Sequence, residues 1–338
     1  MVLPWHKEHL ERVLTGRARL PHAVLVRGPA GIGKLEFARA LAAALLCEST
    51  AGQALACGSC RACAWFGQGS HPDFRLVEPE SAGEKGEGEG AESKASLQIA
   101  VEQVRELSDF VNLSSHRGRA KVIMIHPAEA MNLNAANALL KSLEEPPPAT
   151  YFLLVSHRWH HLLPTIKSRC QQVALAVPEA RAAQAWLAEQ GTQNAELALA
   201  QAGGAPLLAR RFDAEYWAQR RDFLGALSAA DFDPLRAAEQ FHDLPLPGVV
   251  RWLQQWSYDL ARHGESEQPQ QPRYNPDLAD AIARAAQRAQ RLEVLRFHRQ
   301  MLRSQRVVNH PLNPRLFLES LLLSYAGLQR GRACEQAS

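Results

Sequence analysis

Residues 27–41 read RGPAGIGKLEFARAL, and this stretch of the 338-residue chain narrows its possible folds most sharply. Gly28, Gly31 and Gly33 lead into Lys34, with four residues between Gly28 and the Gly33-Lys34 pair. A loop of this kind follows a strand and opens a helix, because backbone N–H groups and a helix N-terminus must converge on phosphate. The flanks agree: HAVLVR (22–27) reads as a short buried strand, and KLEFARALAAALLC has helical spacing and strong helix formers. The full pattern ends in Ser or Thr, whose hydroxyl ligates Mg²⁺, but here Leu35 stands in that place. Gly28, Gly31, Gly33 and Lys34 are thus the candidate phosphate-binding residues of a degenerate loop. A glycine turn with a solvated lysine is the alternative reading of the same residues.

Further apolar runs read as strands: FRLVE (74–78), KVIMIH (121–126), YFLLVS (151–156) and, as a fifth, QVALAV (172–177). Between them AVEQVRELSDFVNL (100–113) and NAANALLKSLEE (134–145) read as helices, the second stopped by Pro146-Pro147-Pro148. This alternation predicts a parallel sheet with helices on both faces. Residues 80–96, rich in Gly and Glu, read as a surface loop. After Val177 strand signals stop and Ala/Leu/Gln/Arg-rich helices follow. The expected division is an α/β domain at 1–177, a small helical unit at 178–213 and a longer helical region at 214–338 with a polar loop at 264–277.

A phosphate loop works with an Asp-Glu pair at the end of a later strand, the Asp ordering the Mg²⁺ shell and the Glu polarising water. The corresponding strand here, KVIMIH, ends in His126-Pro127, and Glu129 is out of register. Loop and strand have lost metal chemistry in the same sense, which points to a retired ATPase site. Composition is that of an ordinary globular chain, with 22% charged and 46% apolar residues and a net charge of +3, a value that permits nucleic-acid contact without indicating it. No apolar run of about 18 residues exists, and the start, MVLPWHKEHLERVL, has no signal-peptide core, so a cytosolic protein without a membrane span is expected.

Six cysteines in a reducing compartment point to metal or free thiols rather than disulfides. Cys57, Cys60 and Cys63 follow one another at spacing three in LACGSCRACAWF, and Cys47 lies ten residues before Cys57. Four thiolates so placed can surround one Zn²⁺ tetrahedrally, and four protein ligands leave no open position, which makes the site structural. Cys170 and Cys334 are read as ordinary thiols.

NALLKSLEEPPPATYFLLVS followed by LLPTIKSRCQQV, together with the four-cysteine insert and the C-terminal NPRLFLESLLLSY, resembles the clamp-loader branch of the AAA+ ATPases. The resemblance implies an AAA+ module with a zinc insert, a helical lid and an all-α collar that joins a five-subunit ring. It implies a subunit that does not hydrolyse ATP. Such a subunit presents the arginine of its Ser168-Arg169-Cys170 motif in trans to a neighbouring motor subunit of a DNA polymerase III holoenzyme. The partners implied are the other clamp-loader subunits, the sliding clamp and primed DNA. The family's second sensor arginine follows a Gly-Gly-x-Pro-like turn, and in GGAPLLAR Leu207 and Leu208 occupy its place. Lys34 is kept, so residual nucleotide or phosphate binding stays open. Two other readings are an active ATPase with unusual residues and a zinc-ribbon DNA-binding module on an inert scaffold. Against the latter, CGSCRACAWFGQGSHPD holds one arginine and no basic run.

Overall fold

The computed structural model describes residues 2–16, 20–49, 55–79, 98–112, 120–263, 271–308 and 310–330. The 80–96 segment and Cys334 lie outside them. The chain divides into two compact units, Met1–Ala182 and Ala183–Ser338. Among the described residues no helix is long and apolar enough to cross a membrane.

The first unit is built on a five-stranded parallel sheet. Its strands are β1 (Ala23–Arg27), β2 (Phe74–Val77), β3 (Lys121–Ile125), β4 (Thr150–Ser156) and β5 (Gln171–Ala174), in the order β2-β3-β4-β1-β5. Leu25 of β1 sits opposite Leu154 of β4 and Gln172 of β5, and Ile123 of β3 opposite Phe152. Central strands covered on both faces read as unbroken apolar runs, as β1, β3 and β4 do. One face, carrying Leu25, Ile123, Ile125, Phe152 and Leu154, packs on Leu107 and Phe110 of α4 (Val101–Asn112) and on Leu139 and Leu143 of α5 (Leu133–Glu144). Side chains alternate along a strand, so Val24, Val26, Met124 and Leu153 face the other way. They too are fully buried, on the side taken by α2 (Lys34–Leu46), which packs against β1, β3 and β4.

The five strands fall where the apolar runs place them, but β5 is shorter than its run. Gln171, Gln172 and Ala174 are exposed on this edge strand, and the chain leaves the sheet after Ala174. Two short helices had no clear signal in the sequence. They are α1 (Lys7–Thr15), which buries Leu10 and Leu14, and α3 (Arg61–Gly67) in the cysteine insert. α5 is capped by Asn132, whose side chain accepts from the Ala135 N–H at 2.8 Å, and it stops at Glu144 ahead of the three prolines. α6 (Pro164–Arg169) leads into β5.

After α7 (Ala180–Glu189) the second unit is all helical. It holds α8 (Ala195–Gln201), α9 (Pro206–Ala209), α10 (Ala214–Ser228), α11 (Pro234–Phe241), α12 (Leu246–His263), α13 (Ala279–Arg288), α14 (Arg291–Val307) and α15 (Pro314–Arg330). Its apolar core gathers Phe223, Trp252, Trp256, Phe297, Met301 and Tyr325, and Trp256 Nε1 donates to the Tyr325 hydroxyl at 3.1 Å. A buried polar network joins α8, α10 and α12 to the segment before α13. Arg220 donates to both carboxylate oxygens of Asp277 and to Asn275 Oδ1. Asp259 accepts from the backbone N–H groups of Arg273, Tyr274 and Asn275, and Gln201 bridges to Asn275 Oδ1 at 3.0 Å.

Phe152 is fully buried under α5, whereas Leu133, in the first turn of the same helix, is 62% exposed. Phe152→Ala should lower the unfolding free energy by about 3–5 kcal/mol. Leu133→Ala should stay within about 0.5 kcal/mol. Urea denaturation of the two variants of the full chain, followed by circular dichroism, checks both values.

Candidate functional site

The loop after β1 is a tight glycine turn. Gly28, Gly31 and Gly33 all have positive φ, at 154°, 77° and 97°. A Cβ on Gly28 would come to 2.3 Å from the Leu175 carbonyl oxygen, and one on Gly33 to 2.1 Å from Leu3 Cδ1. Only glycine fits either place. The space above the loop is filled by the chain's own N-terminal residues. Trp5 Nε1 donates to the Ile32 carbonyl at 3.0 Å, and His6 Nε2 bonds the same oxygen at 2.8 Å. A carbonyl only accepts, so the His6 nitrogen facing it carries the proton, and burial lowers the imidazole pKa against the pull of that bond. Lys34 does not reach outward. It is 2% exposed, and its ammonium donates to the Pro29 carbonyl of its own loop. Desolvation pulls its pKa down to about 8 against the opposing pull of Glu129 and Glu36.

Just past the ends of β3 and β4 lies a His/Glu cluster. His126, at the end of β3, bonds Glu78 Oε1 through Nδ1 at 2.9 Å and meets His157 edge-to-face at 5.3 Å. Glu129 is spent on structure: its Oε1 accepts the backbone N–H groups of His157 and Arg158, both at 2.9 Å, just past the end of β4. Neither Glu129 Oε2 nor His157 Nδ1 has a hydrogen-bond partner among the described residues. Leu35 follows Lys34 on α2, so no hydroxyl stands where the loop pattern wants one.

Arg169 sits at the C-terminal end of α6, its side chain 35% exposed. The structure does not draw it into the loop. Its guanidinium bonds the Thr165 carbonyl at 3.0 Å, Ser168 Oγ at 3.4 Å and Glu144 Oε1 at 2.5 Å. Glu144 closes α5, so the ion pair ties the LEEPPP stretch to the SRC stretch across 25 residues of sequence. Nothing in the local sequence marks Glu144 as the partner of Arg169. In the second unit, Leu207 and Leu208 lie on α9, and the residue that follows this helix, Arg210, is turned over the Trp186 ring at 5.7 Å.

The four insert cysteines do converge. Cys47, Cys57, Cys60 and Cys63 offer sulfurs that all lie within 4.8 Å of one another. The Cys47–Cys60 and Cys57–Cys63 sulfur pairs are each 3.9 Å apart, which excludes disulfides and is close to the edge of about 3.8 Å of a tetrahedron with metal–sulfur bonds near 2.3 Å. Backbone N–H groups of Cys57, Cys60 and Cys63 point at the sulfurs of Cys47, Cys57 and Cys60, each at 3.4 Å. Such donors favour thiolate. Those of Ser59 and Cys60 help pull the Cys57 thiol down to about 6, while burial pushes Cys63 up to about 12. The cluster can hold a metal ion with four sulfur ligands and no open position. Cys170 is apart from it, buried below β5, its thiol pushed up to about 12 by desolvation.

His157 gives the site a pH signature. Desolvation first, then Lys34, pushes its imidazole from 6.5 down to about 4. Between these values the unfolded chain binds more protons than the folded one, so stability falls as pH drops through this window. The melting temperature should decline from pH 7 to pH 4.5, and His157→Gln should make that decline shallower; calorimetry across the range measures both slopes.

Comparison with known proteins places this geometry. A family model described as "DNA polymerase III, delta subunit" matches residues 6–179, and one described as "DNA polymerase III, delta subunit, C terminal" matches residues 214–326. The chain is 38% identical to the DNA polymerase III subunit delta' of Pseudomonas aeruginosa over 97% of its own length and 98% of the relative's. Identity to the DNA polymerase III subunit delta' of Escherichia coli K12 is 31%, covering 77% of this chain and 76% of that one. Among solved structures, a DNA polymerase III gamma subunit-related protein of Thermotoga maritima aligns over 96% of this chain and 99% of its own at 17% identity, with a TM-score of 0.40. The chain belongs to the delta' family of DNA polymerase III clamp-loader subunits.

Proposed function

We propose that this chain is the non-hydrolysing, delta'-type subunit of a clamp loader and supplies Arg169 as an arginine finger to ATP held by a neighbouring motor subunit. The observation that carries the reading is a contrast within one unit. The chain's own nucleotide loop is stripped and plugged, with Leu35 for the hydroxyl, His126-Pro127 for the carboxylates and Lys34 bonded back to Pro29. Meanwhile an arginine is kept on the surface at the end of α6. Phosphoryl transfer depends on positioning and charge stabilisation, and a guanidinium aimed at the γ-phosphate from outside supplies charge where it develops. Glu144, Ser168 and the Thr165 carbonyl hold that guanidinium at a defined place on the surface.

The partners in this reading are a delta subunit and tau/gamma motor subunits in a five-membered ring, acting on the sliding clamp and primed DNA in the cytoplasm. The chain is then a non-catalytic part of a DNA-directed DNA polymerase assembly, that is, of a nucleotidyltransferase. Residues 1–177 form the AAA+ module, 178–213 the lid and 214–338 the collar. The split between compact units near residue 182 and the start of the C-terminal family match at 214 support these bounds. Gly28, Gly31, Gly33 and Lys34 serve as architecture in this reading rather than as a working nucleotide site.

The metal of the cysteine cluster is proposed to be zinc, held by Cys47, Cys57, Cys60 and Cys63. Its contribution would be to fix the insert between α2 and β2. Protein purified without added metal should carry about one zinc per chain, with Zn–S near 2.3 Å by X-ray absorption. Reduced protein free of zinc would remove the claim.

Arg169→Ala should leave folding and ring assembly intact, since a partly exposed arginine adds little stability. It should nevertheless slow ATP hydrolysis by the reconstituted ring. A finger is worth about 10³–10⁵ at the site it serves, and the summed loss over several motor sites would be smaller. Lys should not rescue, because a point charge on a flexible stem cannot reproduce the planar donor fork. Clamp- and DNA-stimulated turnover of rings carrying Arg, Lys or Ala at 169 decides; equal turnover in all three sinks the finger.

A further inference from the structure

Residues 281–310 hold seven arginines and a single acidic residue, Glu293, a net +6 in a chain whose total is +3, so the rest of the protein is net −3. Arg284, Arg288, Arg296, Arg299, Arg303 and Arg306 are all exposed. On α14 the order Arg296, Arg299, Arg303, Arg306 has spacings of three, four and three, which puts all four on one helix face. Arg296 is engaged by Glu293 at 2.5 Å. Like charges three and four residues apart repel, so a stripe of this kind is self-destabilising until an anion lies along it.

We infer that the arginine stripe of α14 binds the sugar-phosphate backbone of nucleic acid without regard to base sequence. The dimensions fit. From Arg296 to Arg306 the helix rises about 15 Å. One strand of B-form DNA presents about four phosphates over the same distance, against four guanidiniums here. The chemistry fits as well, since arginine grips phosphate through a planar fork of donors. No aromatic ring of α14 is free to stack on bases. The aromatic residue of α14, Phe297, is buried in the core, and His298 is tied to Ser257 Oγ at 2.9 Å. Phosphate contacts without base contacts give affinity without sequence preference. Leu292, Leu295 and Leu302, each exposed, border the stripe. A basic face edged by leucines also suits an anionic lipid surface, and the experiment below separates the two.

The inference does not depend on Arg169, because it is read out by binding and not by turnover. The test uses the full chain and fluorescence anisotropy with labelled single-stranded and duplex oligonucleotides of mixed sequence, between about 50 and 200 mM salt. Wild type should lose affinity steeply as salt rises. Arg299→Gln/Arg303→Gln/Arg306→Gln should bind about tenfold more weakly or worse, with the log–log salt slope reduced by about 2–3. Gln keeps helix propensity, so circular dichroism should not change. A control of equal charge change on exposed arginines elsewhere, Arg12→Gln/Arg181→Gln/Arg211→Gln, should keep the wild-type slope. The inference is overturned if wild type shows no salt-dependent binding, or if both triple variants behave alike. Binding to phosphatidylserine-doped vesicles with none to either oligonucleotide would overturn it in favour of a lipid surface.

Discussion

Gly28 carries the constraint on which the first unit depends. The chain must leave the buried central strand β1, turn over the sheet edge and enter α2 within a few residues. It does so with φ of 154° at Gly28, whose missing side chain lets the Leu175 carbonyl approach. Leu175 in turn donates its N–H to the Arg27 carbonyl at 2.8 Å, extending the β1–β5 pairing one step past the strand. The loop is therefore a joint between β1, α2 and the end of β5, and β5 follows directly on α6 and Arg169. The glycines of this loop thus have a structural reason to be there whatever the loop binds. Any side chain at Gly28 would push apart the strands that position the rest of the unit. Lys34 fits the same account: buried, it bonds the Pro29 carbonyl of its own loop.

Polar groups elsewhere likewise hold backbone segments in place. Glu129 lies near Lys34, yet its carboxylate caps the two amides that follow β4. In the second unit the charged groups are spent on fixing one segment, residues 273–277, against α10 and α12. Asp259 is buried and would be costly there alone. Three backbone N–H groups and the Asn275 side chain compensate it. Desolvation still raises its pKa, so the burial is not free. Networks of this kind tolerate no missing member, because each lost partner leaves a desolvated group behind.

How much of this was legible in the sequence follows from the range of the interactions. β1, β3 and β4 are buried on both faces, so their composition alone marks them. β5 has one free edge and mixed exposure, and its end could not be placed from composition. The four cysteines are read easily because ligand chemistry restricts spacing. α3 is missed because its turn is set by that cluster: Cys60 caps it by accepting the Cys63 N–H. The pairing of Glu144 with Arg169, and of Arg220 with Asp277, joins residues far apart in sequence with no local pattern to announce them. The basic stripe on α14 is hidden for a different reason: in the net charge of the whole chain the acidic remainder cancels it, and only the local periodicity of arginine shows it.

The magnitude of the Glu144–Arg169 contact bears on the role proposed for Arg169. The pair is 49% and 35% exposed, and ion pairs of that kind contribute about 0.2–1 kcal/mol. That is enough to bias the rotamers of a long side chain and too little to lock them. An arginine held this way is neither free to wander nor committed to its own subunit. A γ-phosphate carries more negative charge than a carboxylate and sits, in a closed interface, where water screens less. Exchange of Glu144 for such a partner would thus run downhill, and the reverse exchange after phosphate leaves would meet only a shallow barrier. The Thr165 carbonyl and Ser168 hydroxyl, both on α6, can stay bonded to the guanidinium while the carboxylate lets go. A weak ion pair backed by two contacts from its own helix suits the role proposed for Arg169, since it would let the side chain be aimed in advance and still released.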